Sequence, residues 1–356
     1  MSDTHESAAT KRMKQYYQDT DFWCEFRYSP AYGLEHQPGV TRRDPTSVIL
    51  VDGTYHIWFT RSTGPHFGYD SGDLDKATWN WDLADLWHAT SPDGVHWTEQ
   101  GPAVTRGEPG SYDDRSVYTA EILHHDNKFY LVYQVVQHPY LRASLESIAM
   151  SSADSPYGPW TKTPEPILRP SFDPGWTPVD PDNPLLGEST GRFDDLRVHD
   201  PCLFFRDGKF WLYYKGEHIA EEWNLGGRDI RWGVAFADKP EGPYERSPYN
   251  PISNTGHETL LWPHKGGMVG LLTLDGPEAN TIQYAPDGIN FEIKAYIRNP
   301  PIAAGPFRNV DFDASPLAGL SWGMCHVASD DGFGHIMRFD TARDRVVQRN
   351  AQRIPF

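Results

Sequence analysis

A double-hairpin unit repeats along this chain and limits its fold more than any other feature. Three segments, DPTSVILVDGTYHIWFT (44–60), YTAEILHHDNKFYLVYQ (118–134) and DPCLFFRDGKFWLYYKG (200–216), each run from an apolar stretch through a turn to an aromatic stretch. Their turns are Asp52-Gly53, Asp126-Asn127 and Asp207-Gly208, residue types suited to a tight hairpin between alternating strands. A second hairpin pattern follows each: LWHATSPDGVHWT (86–98), IAMSSADSPYGPWTK (148–162) and WGVAFADKPEGPYER (232–246). There a proline, one residue and a glycine precede an aromatic residue. A fourth copy, TIQYAPDGINFE (281–292), follows LLWPHKGGMVGLLTLD (260–275), and SWGMCHVASDDGFGHIMRFD (321–340) adds two further strands. Four strands per repeat and about five repeats predict an all-β, five-bladed β-propeller over residues 31–356. Two β-sandwich domains are the competing arrangement, but they do not explain why the turn signature recurs with each double hairpin. The inserts 63–85, 166–198 and 217–230 exceed ordinary loops and are expected to shape a pocket rim.

Composition agrees with this fold and excludes several functions. The 31 Gly and 30 Pro punctuate turns, and the 13 Trp and 18 Tyr suit strands. With 32 basic against 49 acidic residues the chain carries −17 and has no Lys/Arg block, so no nucleic-acid partner is expected. No apolar run reaches the ~18–20 residues that span a bilayer, so no membrane partner is expected either. The first residues, MSDTHESAATKRMKQYY, lack the apolar core of a signal peptide. The expected compartment is therefore the cytoplasm, or the periplasm for an enzyme trimmed of its leader. Cys24, Cys202 and Cys325 are too scattered for a disulfide framework or a thiolate metal site and read as buried thiols. Residues 1–30 are expected to form a helical extension. Within it Ala8, Met13 and Tyr17 recur at helical spacing over 6–17, on a helix packed against its own domain or exchanged across a dimer.

Candidate chemistry lies where the innermost strands begin. Asp44 opens the first repeat in R-R-D-P, Asp200 the third in V-H-D-P, and Glu258 the fourth in G-H-E. Each precedes an apolar run, so each is carried toward the axis. Three converging carboxyls repel one another, and at least one should be hard to ionise. Asp-Pro also marks ordinary strand starts, but three acidic residues in one register favour chemistry. Glycoside hydrolysis needs such a set, with one group activating water while another protonates the leaving oxygen. His257 adjoins Glu258 and titrates near neutrality; it is either the acid itself or a group that Glu258 orients and charges.

These segments, with YDDRSVYTAEI, LYYKGE, GGRDIRWGVA, YNPISNTGHE and DGINF, resemble glycoside hydrolase family 117 over nearly the whole chain. The resemblance implies an exo-acting, inverting α-1,3-(3,6-anhydro-L-galactosidase) that acts on neoagaro-oligosaccharides and dimerises through exchanged N-terminal helices. It implies Asp44 as general base, Asp200 as the residue that orients substrate and tunes the acid, Glu258 as the third carboxylate, and His257 as proton donor. It further implies Thr119 and Gln134 as sugar contacts, Trp81 as an apolar wall for the anhydro sugar, and His326 near the site. Some members hold a hydrated divalent cation close by. No cofactor is required here, and the sequence has neither HExxH nor a Cys/His ligand spacing.

Overall fold

The computed structural model describes residues 7, 10, 21–141, 144–171, 192–218, 230–274 and 276–342. Strand β1 (Glu25–Pro30) comes first. The first unit holds β2 (Val40–Arg43), β3 (Ile49–Val51), β4 (Thr54–Thr63), β5 (Asp85–Ser91) and β6 (Thr98–Val104). The second holds β7 (Ser116–His125), β8 (Lys128–Val136), β9 (Glu146–Ala153) and β10 (Thr161–Lys162). The third holds β11 (Arg197–Arg206), β12 (Lys209–Glu217), β13 (Arg231–Ala237) and β14 (Glu245–Arg246). The fourth holds β15 (Leu260–His264), β16 (Gly267–Leu272), β17 (Thr281–Ala285) and β18 (Glu292–Tyr296). The fifth holds β19 (Gly305–Pro306), β20 (Trp322–Ala328) and β21 (Gly334–Ala342). Within every unit the neighbouring strands run antiparallel.

The hairpin turns form for the reason their residues suggest. Asp52 and Gly53 have φ of 48° and 79°, Asp126 and Asn127 of 49° and 58°, and Asp207 and Gly208 of 51° and 77°. Paired left-handed residues match the strand twist, which is why two-residue turns select Gly, Asn and Asp. Lys265-Gly266 does the same in the fourth unit, at 44° and 76°, where no Asp-Gly signalled it. The second hairpins are tied by side-chain oxygens. Asp93 Oδ1 accepts the Val95 and His96 amides at 2.8 Å, and Asp287 Oδ1 accepts those of Ile289 and Asn290 at 2.9 and 2.8 Å.

One expectation needs correction. β1 pairs with β21 from Glu25↔Ala342 to Pro30↔Met337, so residues 25–30 complete the fifth unit and are not part of a helical extension. A strand edge left open on β21 would expose unpaired backbone, and β1 covers it. Of the helix expected over 6–17 only Ser7 and Thr10 are described, with the Thr10 amide donating to Ser7 Oγ at 3.1 Å; the rest of it, and with it the dimer contact, lies outside the described residues.

Alternating apolar side chains fill the space between successive units. Trp58, Leu131 and Tyr133 pack between the first and second; Tyr130, Leu212 and Tyr214 between the second and third; Tyr213, Trp232 and Leu261 between the third and fourth. Trp262, Ile282 and Phe339 join the fourth to the fifth, and Val48, Phe59, Met324 and Ile336 join the fifth back to the first. Arg308 then gathers contacts from all the units. Its guanidinium donates to Ser47 Oγ at 2.7 Å and to the Leu261 carbonyl at 2.6 Å, lies 3.8 Å from Cys202 Sγ, and pairs with Glu121 at 3.6 Å. None of the three cysteines forms a disulfide, and all are buried. No helix among the described residues is long and apolar enough to cross a membrane.

Candidate active site

Three innermost strands start with the same backbone kink. Asp44, Thr119 and Asp200 have φ of 49°, 43° and 48°, and the ladders slip at Tyr118/Ala120 and at His199/Cys202. A bulge of this kind turns a side chain away from the strand's alternation. Asp tolerates the left-handed region, but for a β-branched threonine it is a true outlier, of a sort that clusters at functional sites. Thr60 Oγ1 secures the strained turn by accepting the Thr119 amide at 2.7 Å.

Asp44 is 4% exposed and densely hydrogen-bonded. Arg43 Nε donates to its Oδ2 at 2.7 Å, Thr119 Oγ1 donates to the same oxygen at 3.1 Å, and His326 Nδ1 lies 3.1 Å from Oδ1. Burial alone would raise the Asp44 carboxyl, but the Arg43 guanidinium and His326 outweigh it and hold the group well below the usual carboxylate range. Arg43 is itself clamped: Asn80 Oδ1 accepts from its Nη1 at 2.8 Å, and its guanidinium lies 4.7 Å from the Trp81 ring centre.

A second cluster has a different balance. Lys215 Nζ pairs with Asp200 Oδ2 and lies 3.4 Å from His257 Nδ1, which in turn is 2.7 Å from Glu258 Oε1. Burial raises the Asp200 carboxyl and Glu258 adds to the rise, against the pull of Lys215 and His257. Glu258 moves the other way. Its burial is outweighed by His257 and then Lys215, which bring it down to about 2. Its Oε2 is buried with no hydrogen-bond partner among the described residues, an acceptor left for a ligand. The field of Arg43 spans both clusters, since Asp44, Glu258 and Asp200 all favour its charged form over the effect of burial.

The structure thus brings together Asp44, Asp200, His257 and Glu258, with Thr119 and His326 directly on Asp44. Trp81 lies beneath Arg43, stacks on Trp79 at 5.5 Å and donates through Nε1 to Tyr140 at 3.1 Å. Gln134 is placed differently from the expected sugar contact. It is 3% exposed, and its amide goes to Glu146, to Tyr118 at 3.0 Å and to His199 Nδ1 at 3.3 Å. It belongs to a buried polar group in which Arg197 joins Glu146 at 3.0 Å to Glu217 at 2.8 Å.

The model for glycosyl hydrolases family 43 matches residues 40–183. Among solved structures, Zg3597, a family 117 glycoside hydrolase from the marine bacterium Zobellia galactanivorans, is 35% identical at a TM-score of 0.77, covering 91% of this chain and 92% of that one. The chain belongs to glycoside hydrolase family 117. More distant structures share the fold. CoXyl43, a β-xylosidase/α-arabinofuranosidase from a compost microbial metagenome, is 17% identical at TM-score 0.54, covering 89% and 94% of the two chains. Sucrose-6-phosphate hydrolase from Lactobacillus gasseri is 15% identical at 0.56, covering 87% of this chain and 60% of its own. No curated protein matches.

For this family 117 glycoside hydrolase, Asp200, His257 and Glu258 are the one described group close enough to ligate a metal, with ligand atoms within 4.8 Å of one another. The set does not fit a directly bound cation, because the Lys215 ammonium already sits on Asp200 and His257 Nδ1 on Glu258. Sequence reasoning missed Lys215, Arg43 and Asn80. Lys215 lies inside the quoted LYYKGE segment, and a lysine embedded in an aromatic strand is the signal that could have singled it out.

Proposed function

We propose that this glycoside hydrolase is an exo-acting, inverting α-1,3-(3,6-anhydro-L-galactosidase) that releases 3,6-anhydro-L-galactose from the non-reducing end of neoagaro-oligosaccharides. In this reading the five units close as a five-bladed β-propeller, and two chains associate through the N-terminal segment. The observation that carries the reaction is the pair of clusters: the Asp44 carboxyl held low by Arg43 and His326, and the His257–Glu258 dyad with its 2.7 Å contact. Asp44 accepts a proton from water as the water oxygen bonds to the anomeric carbon. The glycosidic C–O bond breaks, and its electron pair leaves with the departing oxygen, which takes a proton from His257. Such an in-line displacement inverts the anomeric centre.

His257 suits the donor role better than Glu258 does. A ring nitrogen cannot both donate to Glu258 and accept from Lys215, and the shorter 2.7 Å contact puts the proton of Nδ1 on the glutamate side. In this reading Nε2 is the atom that exchanges a proton with substrate. Glu258, brought down to about 2, is a carboxylate at working pH and has no proton to give. Thr119 and His326 fix the base, Trp81 offers an apolar face to the anhydro ring, and Gln134 holds His199 beside Asp200. No step needs a metal.

A second reading, an arabinofuranosidase or xylosidase, is favoured by the family 43 match over residues 40–183. Incubation with neoagarobiose and with aryl arabinoside or xyloside, followed by thin-layer chromatography, separates the two. Anhydro sugar from neoagarobiose alone is the expected result. Turnover of the aryl pentosides alone would establish the second reading, and binding without turnover of any of them would make the chain a carbohydrate-binding module.

A further inference from the structure

One buried charge has no task in the steps above. The Lys215 side chain is 3% exposed, directly after Phe210, Trp211, Leu212, Tyr213 and Tyr214 on its strand. An ammonium in such surroundings is costly unless an anion meets it. Its Nζ reaches two separate parts of the site: Asp200 at the β11 bulge and His257 in the turn before β15.

We propose that Lys215 is a positioning residue for glycoside hydrolysis, a fixed internal cation that holds Asp200 as an aimed carboxylate beside the His257–Glu258 pair. The proposal rests on the hydrolase reading but not on the choice of sugar. Two buried carboxyls, Asp200 and Glu258, face each other here, and without a cation one of them would take up a proton. Among the described residues, Arg43 and Asp44 from the first unit, His199 on β11 and Glu217 on β12 are the further charged or titratable neighbours. Of these groups Lys215 is the one in contact with Asp200 Oδ2. Burial is the main influence raising Asp200, and Lys215 is the strongest one opposing it. Other sites place a bound metal ion where such a charge is needed. A lysine supplies it at fixed length, independent of metal supply.

The test uses the full chain labelled with carboxyl-13C aspartate, with the Asp200 signal identified by its loss in Asp200→Asn. In Lys215→Met the Asp200 titration midpoint should rise by about 1 pH unit or more, and in Lys215→Arg it should stay within about 0.3 unit of the parent. Should Lys215→Met fail to fold, Lys215→Gln keeps a hydrogen-bond donor without the charge and should show the same rise. An unmoved midpoint in a folded neutral variant overturns the proposal, as does an arginine variant that moves as far as methionine. On whichever sugar the enzyme splits, the acid limb of kcat/KM should shift upward with the titration. A parent enzyme that leaves neoagarobiose intact counts against that substrate alone, and the Asp200 titration still decides Lys215.

Discussion

Asp44 and Asp200 begin as near copies and end in opposite states. Each precedes a proline, opens an innermost strand, and has a left-handed backbone, with φ of 49° and 48°; both are almost fully buried. Yet one carboxyl is held far below its ordinary range while the other is raised. The difference comes from the neighbours each meets: Arg43 beside it in the chain, with His326 and Thr119 from other units, around Asp44, and Lys215 of its own unit with Glu258 of the next around Asp200. Asp44 has a guanidinium, an imidazole and a hydroxyl around it. Asp200 has one ammonium and a second carboxylate close by. A shared backbone device delivers the side chain, and the cations and carboxylates set around it fix its charge.

Removing the function of the first of the pair should have the largest effect. Asp44→Asn keeps the shape and the fold but cannot accept water's proton, so kcat should fall by about 10²–10⁴-fold, read by steady-state assay with circular dichroism as the folding control. More than a tenth of parental activity at any pH would remove Asp44 from the role of base.

The second cluster is sharpened by its leaving-group dependence. His257→Ala should lower turnover of the natural sugar by about 10²-fold while sparing aryl glycosides, whose phenolate departs without a proton. Glu258→Gln should slow both substrates and shift the pH profile. Rescue of the glutamine variant alone by a good leaving group would make Glu258 the donor.

How much of this was legible beforehand differs between backbone and site. The Asp-Gly and Asp-Asn turns and the Pro-x-Gly loops were readable because left-handed residues and aspartate-capped loops are local chemistry, complete within four residues. The acidic strand starts were readable for the same reason: they repeat in register. Arg43, Asn80 and Lys215 were not, because their importance lies in the side chains the fold sets against them, Asp44 and Asn80 for Arg43 and Asp200 and His257 for Lys215. Gln134, a sugar contact only by family resemblance, has its amide engaged by Tyr118, Glu146 and His199, partners that its local sequence does not announce. Nothing in 1–30 announced β1 as a strand, since its partner β21 is more than 300 residues away.

A smaller effect is expected on stability against pH. Asp44 and Glu258 are depressed in the folded chain, so they stabilise it above the ordinary carboxylate range, and that contribution is lost as pH falls through their folded values. Asp200 is raised, so its contribution has the opposite sign: present at low pH and lost as pH rises through its folded value. Calorimetry below about pH 4.5 should therefore show a flatter loss of Tm on acidification for Asp44→Asn than for the parent, and a steeper one for Asp200→Asn. Equal slopes would mean that the two sites are electrostatically alike.

The smallest expected change is Thr119→Val, which removes the hydroxyl donor to Asp44 Oδ2 at 3.1 Å and little volume. Loss of one hydrogen bond to a charged acceptor corresponds to about tenfold in kcat/KM, with the acid limb moved upward. A variant equal to the parent would leave Arg43 and His326 as the groups that set the base.

The most direct measurement follows Asp44 and Asp200 in one carboxyl-13C titration of the unmodified protein, each signal identified by its asparagine variant. Asp44 should remain a carboxylate to the lowest pH at which the chain stays folded, while Asp200 takes up its proton above the ordinary aspartate value of about 3.9. Coincident midpoints, or Asp44 protonating first, would contradict the division of charge on which the proposed reaction depends.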